Sequence, residues 1–592
     1  MTALVRLTDL TNEYTGYMLS QTRIRLVAVF FAALCVLAVG RTLYAQWVDF
    51  PAYEEIVSDQ QTLPVHTTAP RGRIYDRNGN VLAVSNRAFI LRADVDVLQS
   101  EQEAERLGTA IAPALGQDPA VLQAKIVAAF KAKNRSNTLA FAVPYSTLTQ
   151  TQAAIEQYAR DNAGSGLGRG AIMFEDLWRR SYPYGPIGGP TVGFITMMSP
   201  AASGVEAFAN EALAEQPGLR IGRSRIDLIE SKPTLSGADL LLTLDVNLQA
   251  YVEDRLAQAI RDTGAQSGQI IVMETHTGRI LSSGTFPGYD PNNVSELAAD
   301  PATIGRVRDP AVTDEYEPGS VMKICTLAAA LDAGVIRPDE LFDDLGRITI
   351  EGNTIRNSDG IAHGTVDLTT VLARSLNVVT VEIAQALGPE QFYRALSAFG
   401  FGNRTGIDLV GEADGIIDAP TADSWSRHKF ATNSFGQSLA VTPYQLINAV
   451  NAIGTDGMLM QPFVIQQWID AQGNRIEKRP VQLQRAISAE TARIMRSIMK
   501  AATMRATPDV APAGYSVAGK TGTAQYYVDG RIADDTIVSY VGFLPADNPR
   551  VTILIKLDQP TSSTWANKTT IGVFHDVAAQ TVRMLGVPPD NP

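Results

Sequence analysis

The chain has 592 residues, 45% hydrophobic and 19% charged, the composition of a folded protein too long for one hydrophobic core, so two or three domains are expected. Lys and Arg number 50 against 62 Asp and Glu, for a net charge of -12; with no broad basic surface to neutralise phosphates, nucleic acid is not expected as a partner. The two cysteines, Cys35 in an apolar run and Cys325 after a Ser-x-x-Lys sequence, and five scattered histidines make neither a disulfide framework nor a ligand cluster, so no metal and no cofactor is expected.

The first element is an apolar run. Residues 26–40, LVAVFFAALCVLAVG, carry no charge, and extension to Ala45 adds only Arg41, giving about 20 residues, a bilayer span. Arg23 and Arg25 precede the run, and Tyr44 and Trp47 come after it. That order predicts a cytoplasmic tail over 1–23 and a transmembrane anchor over 24–46, with aromatics at the outer interface and Arg41 snorkelling out of the hydrocarbon. The competing reading is a cleaved signal peptide, because Ala38-Val39-Gly40 supplies small residues at a cleavage position. Either way, the chain after about residue 46 is exported.

Residues 47–235 mix helical stretches such as SEQEAERLGTAIAPAL with Gly- and Pro-rich loops such as SYPYGPIGGP, and no nucleophile is grouped there with a base. KPTLSG at 232–237 reads as a linker. A second domain, 236–592, opens with strand LLLTL and a helix carrying Leu248, Val252, Leu256 and Ile260 at helical spacing. Two β-rich runs come next around a Thr-Gly turn, and KTGTAQYYVDGRIADDTIVSYVGF repeats the pattern around Asp-Gly. Helical stretches fill the interval, and HDVAAQTVRML is the last helix. The pattern predicts an α+β domain with an antiparallel sheet covered by helices.

Three short motifs occur in order: Ser320-Val321-Met322-Lys323, Ser375-Leu376-Asn377 and Lys520-Thr521-Gly522-Thr523. The first alone is weak, since Ser-x-x-Lys recurs at Ser426/Lys429 and Ser497/Lys500; both of those fall after Ser375, where the order excludes them. The turn Glu317-Pro318-Gly319 delivers Ser320 to a helix N-terminus, and at i and i+3 Ser320 and Lys323 share a face. A serine hydroxyl becomes a nucleophile when a base takes its proton, and a lysine desolvated beside another cation, here Lys520, can be that base. Ser375 offers a hydroxyl to pass the proton to a leaving amine, and Asn377 an amide to hold the substrate backbone. Thr521, Gly522 and Thr523 present hydroxyls and an open backbone to a substrate carboxylate, and the backbone N–H groups of Ser320 and Thr523 are the natural oxyanion hole.

A second chemistry competes at the same place. Gly514 to Thr521, GYSVAGKT, matches the phosphate-loop pattern G-x-x-x-x-G-K-S/T. That loop needs a helix after it to receive phosphates, and β-prone TAQYYVDGRI stands there instead.

The ordered triple resembles the signature of penicillin-binding proteins. Over nearly its whole length the chain resembles class B penicillin-binding proteins: RGRIYDRNGNVLA at 71–83, Arg180-Ser181-Tyr182-Pro183 and Gly204-Val205-Glu206 in a non-catalytic pedestal, then FPGYDPNN at 286–293, DEYEPGS before the nucleophile, SFGQSLAVTPYQL at 434–446 and SYVGFLP. The resemblance implies a penicillin-binding, β-lactamase-like transpeptidase domain on an elongated α/β pedestal (dimerisation-type) domain with one transmembrane helix. It implies a serine-type D-Ala-D-Ala transpeptidase of the bacterial inner membrane, with its catalytic domain in the periplasm. Ser320 attacks the penultimate D-Ala of a peptidoglycan stem peptide, an amine resolves the acyl-enzyme, and β-lactams trap Ser320. The pedestal arginines are expected as salt-bridge residues. Within the family the short pedestal, single anchor and Ser-x-Asn form look most like the division-specific FtsI type, acting at the septum. Partners of that type are a membrane-embedded glycan polymerase (FtsW type) and other division proteins. The elongation-specific type is the alternative, and outside the enzyme class a penicillin-binding sensor or scaffold. One departure stands out: NKTTIGVFHDVAAQ at 567–580 replaces a Gly-Gly-x-Ala-Ala-Pro stretch, which puts the local strand end in question.

Overall fold

The computed structural model describes residues 2–47, 63–162, 168–196, 203–222, 229–301, 303–528 and 531–590. They form two compact units, Met1–Thr68 with Pro217–Thr234, and Ala69–Gln216 with Leu235–Pro592.

In the first unit a single helix, Thr2–Trp47, takes in both the segment expected as a tail and the apolar run. Its stretch Gln21–Trp47 is long and apolar enough to cross a membrane, and none of it is buried. Leu26, Phe30 and Leu37 face outward, as lipid-facing side chains do and core side chains do not; the helix fits a single-pass anchor. A three-stranded antiparallel sheet completes the unit, with Gly218–Gly222 between Leu63–Thr67 and Ile229–Lys232.

The second unit begins with the pedestal segment. Val81–Ala93 pairs antiparallel with Ile172–Ser181 and with Ala140–Pro144. Three helices cover that sheet, Glu101–Leu115, Pro119–Lys131 and Tyr145–Asp161. Ser100 caps the first, accepting from the Glu103 N–H, and Leu91, Leu107, Ile126 and Ile155 share one buried cluster.

A second sheet of the unit has five antiparallel strands in the order Ile280–Phe286, Ser267–Glu274, Val551–Asp558, Arg531–Leu544, Ala518–Val528. Adjacent residues of one strand enter opposite cores: Ile270 and Val272 one, Ile271 and Met273 the other. Both faces are therefore covered, which is why the strand reads as a continuous apolar run rather than an alternating one. Val246–Thr263 and Ile571–Leu585 pack on one face, Leu248, Val252, Leu256 and Ile260 all lying in its core. Met322–Asp332, Pro443–Gly454 and Ala489–Ala506 lie on the other.

The sequence reading needs two corrections, and its rejection of the phosphate loop stands. The run expected as a linker ends tightly packed: Leu235 bridges Gln216, and a methyl on buried Gly237 would lie 1.8 Å from the Leu213 carbonyl oxygen. The glycine marks two backbones in contact, which composition alone does not separate from slack chain. The interval read as helical also holds a β ribbon, Leu341–Asp344 with Gly364–Asp367, carrying the hairpin Arg347–Ile350 and Asn353–Arg356. The phosphate-loop match falls on a sheet strand, with Gly519 opposite Gly542 and Thr521 opposite Tyr540, so no helix N-terminus comes after Lys520. The Asp-Gly turn of that hairpin lies outside the described residues.

The hallmark segments meet in this unit. Ile74–Tyr75 pairs parallel with Asp239–Leu242, which pairs antiparallel with Ile465–Ile469, so one sheet runs from the pedestal segment into the later chain. Arg71 and Arg180 converge on Glu206, at 2.7 and 2.6 Å, with side chains 10%, 4% and 0% exposed. The Tyr182 backbone exchanges two hydrogen bonds with the Asn292 amide, at 3.0 and 2.9 Å, tying the Arg-Ser-Tyr-Pro and FPGYDPNN motifs together. The arginines are salt-bridge residues, as expected.

Candidate active site

Ser320 sits in a one-turn 3-10 helix, Gly319–Val321, that runs directly into the helix Met322–Asp332. The turn is held by close backbone contacts. The Gly319 N–H donates to the Gly436 carbonyl at 3.0 Å, and a Cβ on Gly319 would meet the Thr523 carbonyl oxygen at 2.6 Å. Gly436 has φ +83°, and a Cβ there would lie 2.1 Å from the Gly319 oxygen. A methyl at 436 must move the turn that carries Ser320. Gly436→Ala is expected to lower the rate of Ser320 acylation on the order of 100-fold, the effect of about a 1 Å misplacement, read with a fluorescent penicillin in stopped flow.

Lys323 is fully buried, and its Nζ donates to the Ser375 carbonyl at 2.6 Å, the Ser375 Oγ at 3.0 Å and the Asn377 Oδ1 at 2.7 Å. Among the described residues it makes no hydrogen bond to Ser320; the two side chains it holds, Ser375 and Asn377, line one cleft with Ser320. Asn377, expected to hold a substrate backbone, accepts from Lys323 at Oδ1 and donates one N–H of Nδ2 to the Arg356 carbonyl at 2.8 Å, and it lines the cleft with a second N–H on the same amide. Ser375 has φ +58°, a left-handed conformation costly for a residue with a side chain.

Lys520 lies on the strand Ala518–Val528 and is buried, its Nζ bonded to the carbonyl and hydroxyl of Thr521 at 3.0 and 3.1 Å. Burial holds its ammonium down at about 7. Burial first, and then the positive charge of Lys520, lowers Lys323 well below the ordinary lysine value. Alternation along the strand turns Thr521 and Thr523 to the cleft and Gly522 away from it. A Cβ on Gly522 would meet the Ser539 Oγ at 2.4 Å and the Pro318 carbonyl oxygen at 2.7 Å. Its missing side chain lets the strand press against the Ser320 turn rather than against a ligand. Thr503 pins the same strand, its Oγ1 accepting from the Gly519 N–H at 3.0 Å.

The cleft has a volume of about 630 Å³ and is lined by Ser320, Ser375, Asn377, Thr521 and Thr523 together. All three motifs, separated by up to 200 residues of chain, thus open onto one space. Its wall also holds residues to which the sequence reading gave no role: Arg374, Gln437, Trp565, Asn567 and Lys568. Gln437 lies within a stretch already singled out by resemblance. Asn567 and Lys568 open the stretch that departs from the family pattern, with Trp565 just before it; the preceding strand ends at Asp558 and a short helix, Ala566–Thr569, brings them to the cleft.

The other two Ser-x-x-Lys sequences have local structural partners. The Ser426 hydroxyl caps a helix by accepting from the Lys429 N–H at 3.1 Å, and Lys429 pairs with Asp418 at 2.6 Å. Ser497 is exposed, and Lys500 pairs with Asp547 at 2.6 Å.

Comparison with known proteins agrees with this arrangement. The penicillin binding protein transpeptidase domain matches residues 268–579, and the penicillin-binding protein dimerisation domain matches 66–255. The penicillin-binding protein PbpB of Mycobacterium tuberculosis is 30% identical, over 88% of this chain and 78% of its own length. The probable peptidoglycan D,D-transpeptidase PenA of Neisseria gonorrhoeae is 28% identical, over 97% and 95%. The crystal structure of penicillin binding protein 3 from M. tuberculosis, complexed with aztreonam, superposes with a TM-score of 0.67 at 27% identity, covering 89% of this chain and 99% of that one. With a dimerisation domain followed by a transpeptidase domain that gathers the three motifs in one cleft, the chain belongs to the class B penicillin-binding protein family.

Proposed function

We propose that this protein is a peptidoglycan D,D-transpeptidase that cross-links stem peptides through an acyl-enzyme on Ser320. The observation that carries this reading is one cleft lined by Ser320, Ser375, Asn377, Thr521 and Thr523, with the buried Lys323 amine bonded to the Ser375 and Asn377 side chains behind it. Neutral Lys323 takes the Ser320 proton as Oγ attacks the penultimate D-Ala carbonyl. The N–H groups of Ser320 and Thr523 hold the oxyanion, a contribution of about 3 to 4 kcal/mol where one such donor has been removed elsewhere. The proton passes from Lys323 to the Ser375 hydroxyl and on to the leaving D-Ala amine, and an acceptor amine then resolves the ester. Thr521 and Thr523 hold the substrate carboxylate. Asn377 orients Lys323. Residues 236–592 carry this chemistry and 47–235 form the pedestal, and β-lactams acylate the same serine, in keeping with the aztreonam complex of the relative.

The base must be neutral, so acylation rises with pH as Lys323 loses its proton. Because burial and Lys520 lower its pKa, the rate should level off well below pH 10.5. Lys520→Met removes one of the two causes, and its rising limb should lie at higher pH; a pH profile of penicillin acylation for both proteins reads the shift.

The cell-biological reading is division: the single anchor, the short pedestal and the Ser-x-Asn form support a septal role beside a membrane-embedded glycan polymerase. Depletion tests it. Filamentous cells, rescued by the wild type but not by Ser320→Ala, are the expected result. Rounded cells would move the protein to elongation, and rescue by Ser320→Ala would remove the catalytic reading.

A further inference from the structure

The motif that holds Lys323 is itself held from outside, by the β ribbon inserted before it. The helix Asn377–Leu387 starts without a side-chain cap of its own, because its N-cap position is Leu376. Asn357, just past the ribbon strand Asn353–Arg356, supplies the missing acceptor: its Oδ1 accepts from the N–H of Asn377 at 2.9 Å and of Val378 at 3.2 Å. Its Nδ2 donates to both carboxylate oxygens of Asp344, at 2.9 and 2.8 Å, and to the Ile361 carbonyl at 3.0 Å. Every donor thus meets an acceptor, which fixes the amide orientation. Asp344 also accepts from the N–H groups of Gly346 at 3.2 Å and His363 at 2.9 Å. Asp344 is 1% exposed and Asn357 4%. Neither reaches the Lys323 amine, and the neighbouring Ser358 lines the cleft.

We propose that Asp344 and Asn357 are positioning residues for acylation. Asp344 orients the Asn357 amide, Asn357 clamps the start of the Asn377 helix, and that clamp keeps Asn377 Oδ1 and the left-handed Ser375 on the Lys323 amine. The proposal rests on the Ser320 acyl-enzyme reading. Two further facts favour alignment over general stability. The second anchor of Asn377, the Arg356 carbonyl, comes from the residue before Asn357, so the ribbon grips both the backbone and the side chain of Asn377. Ser375, two residues upstream, needs a fixed neighbour to persist in its left-handed conformation.

The test is a double-mutant cycle on the exported protein, with the acylation rate constant and the prior non-covalent affinity for a penicillin resolved by stopped flow. Asn357→Ala is expected to lower the acylation rate constant on the order of 100-fold with affinity changed less than about threefold. In an Asn377→Ala background the same change should cost clearly less than in the wild type, since one of the two groups being positioned is already gone. Asp344→Asn, nearly isosteric, places an NH2 against N–H donors and should reproduce part of the loss, so the chain of bonds is tested even where Asn357→Ala unfolds the protein. Unchanged acylation in Asn357→Ala, or losses that multiply in the double variant, would overturn the positioning role while leaving wild-type acylation in place. A wild type that takes no penicillin would overturn the acyl-enzyme reading and this inference with it.

Discussion

Lys323→Met is expected to lower the rate of penicillin acylation by about 10² to 10⁴-fold, the usual contribution of a positioned general base, while leaving thermal stability equal to or above that of the wild type. The two halves of this expectation have one cause. An amine with no exposed surface is held away from water, and its charged form pays a desolvation cost that methionine, of similar length, does not. The acceptors it leaves, the Ser375 carbonyl and the Asn377 Oδ1, set a limit on the gain. Lys323→Arg separates charge from basicity: a guanidinium keeps the cation but cannot lose its proton at any working pH, so it should be as slow as methionine. Stopped-flow acylation with thermal unfolding on the same samples checks both halves. A methionine variant within tenfold of wild type would mean that another group takes the Ser320 proton.

Glu206→Ala should cost about 3 to 5 kcal/mol of stability, the range for removing one partner of a buried ion pair. Its carboxylate is the shared acceptor of two arginines, Arg71 and Arg180, both nearly buried. Without it the two guanidiniums keep only neutral acceptors: Arg71 the Glu206 carbonyl and the Asn210 Oδ1, Arg180 the Gly72 carbonyl and the Ser85 Oγ. The contrast is a surface pair. Arg394 and Glu390 bond at 2.9 Å but are 74% and 85% exposed, and Arg394→Ala should cost at most about 1 kcal/mol. Denaturant unfolding of the chain without its N-terminal helix distinguishes the two. Because the triad joins RGRIYDRNGNVLA to Gly-Val-Glu, its loss should also loosen the segment that pairs with Asp239–Leu242, seen as faster amide exchange at Ile74 and Leu240.

What could be read from the sequence was local. The helix Val246–Thr263 shows its apolar stripe at fourfold spacing and its Asp245 cap in the letters themselves, because helix partners are near neighbours in the chain. The strands at 267–274 and 280–286 are legible for the same reason, as a hairpin-like pair about a Thr-Gly turn. The three motifs were legible through their order. Hidden were contacts made across long separations by short or polar segments. The Ile74–Tyr75 strand has two residues and pairs with Leu240 and Leu241, too short to carry a period. Asp344 and Asn357 lie in the interval read as helical, and only the folded ribbon brings them to Asn377, 20 residues on from Asn357. Gly522 was read as an opening for a ligand; in the fold the close approach at its Cβ position is that of Pro318 and Ser539. Asn567 and Lys568 reached the cleft through a segment whose departure from the family pattern hid them.

The most direct test of the account is to map the covalent adduct. Protein treated with benzylpenicillin is digested, and the peptide that gains the mass of the intact drug is sequenced by tandem mass spectrometry, in the wild type and in the Ser320→Ala, Ser426→Ala and Ser497→Ala variants. The account predicts one adduct, on Ser320, lost in Ser320→Ala and unchanged in the other two, where the hydroxyl is a helix cap or lies exposed outside the cleft. An adduct on any other serine, or one that survives Ser320→Ala, would contradict it.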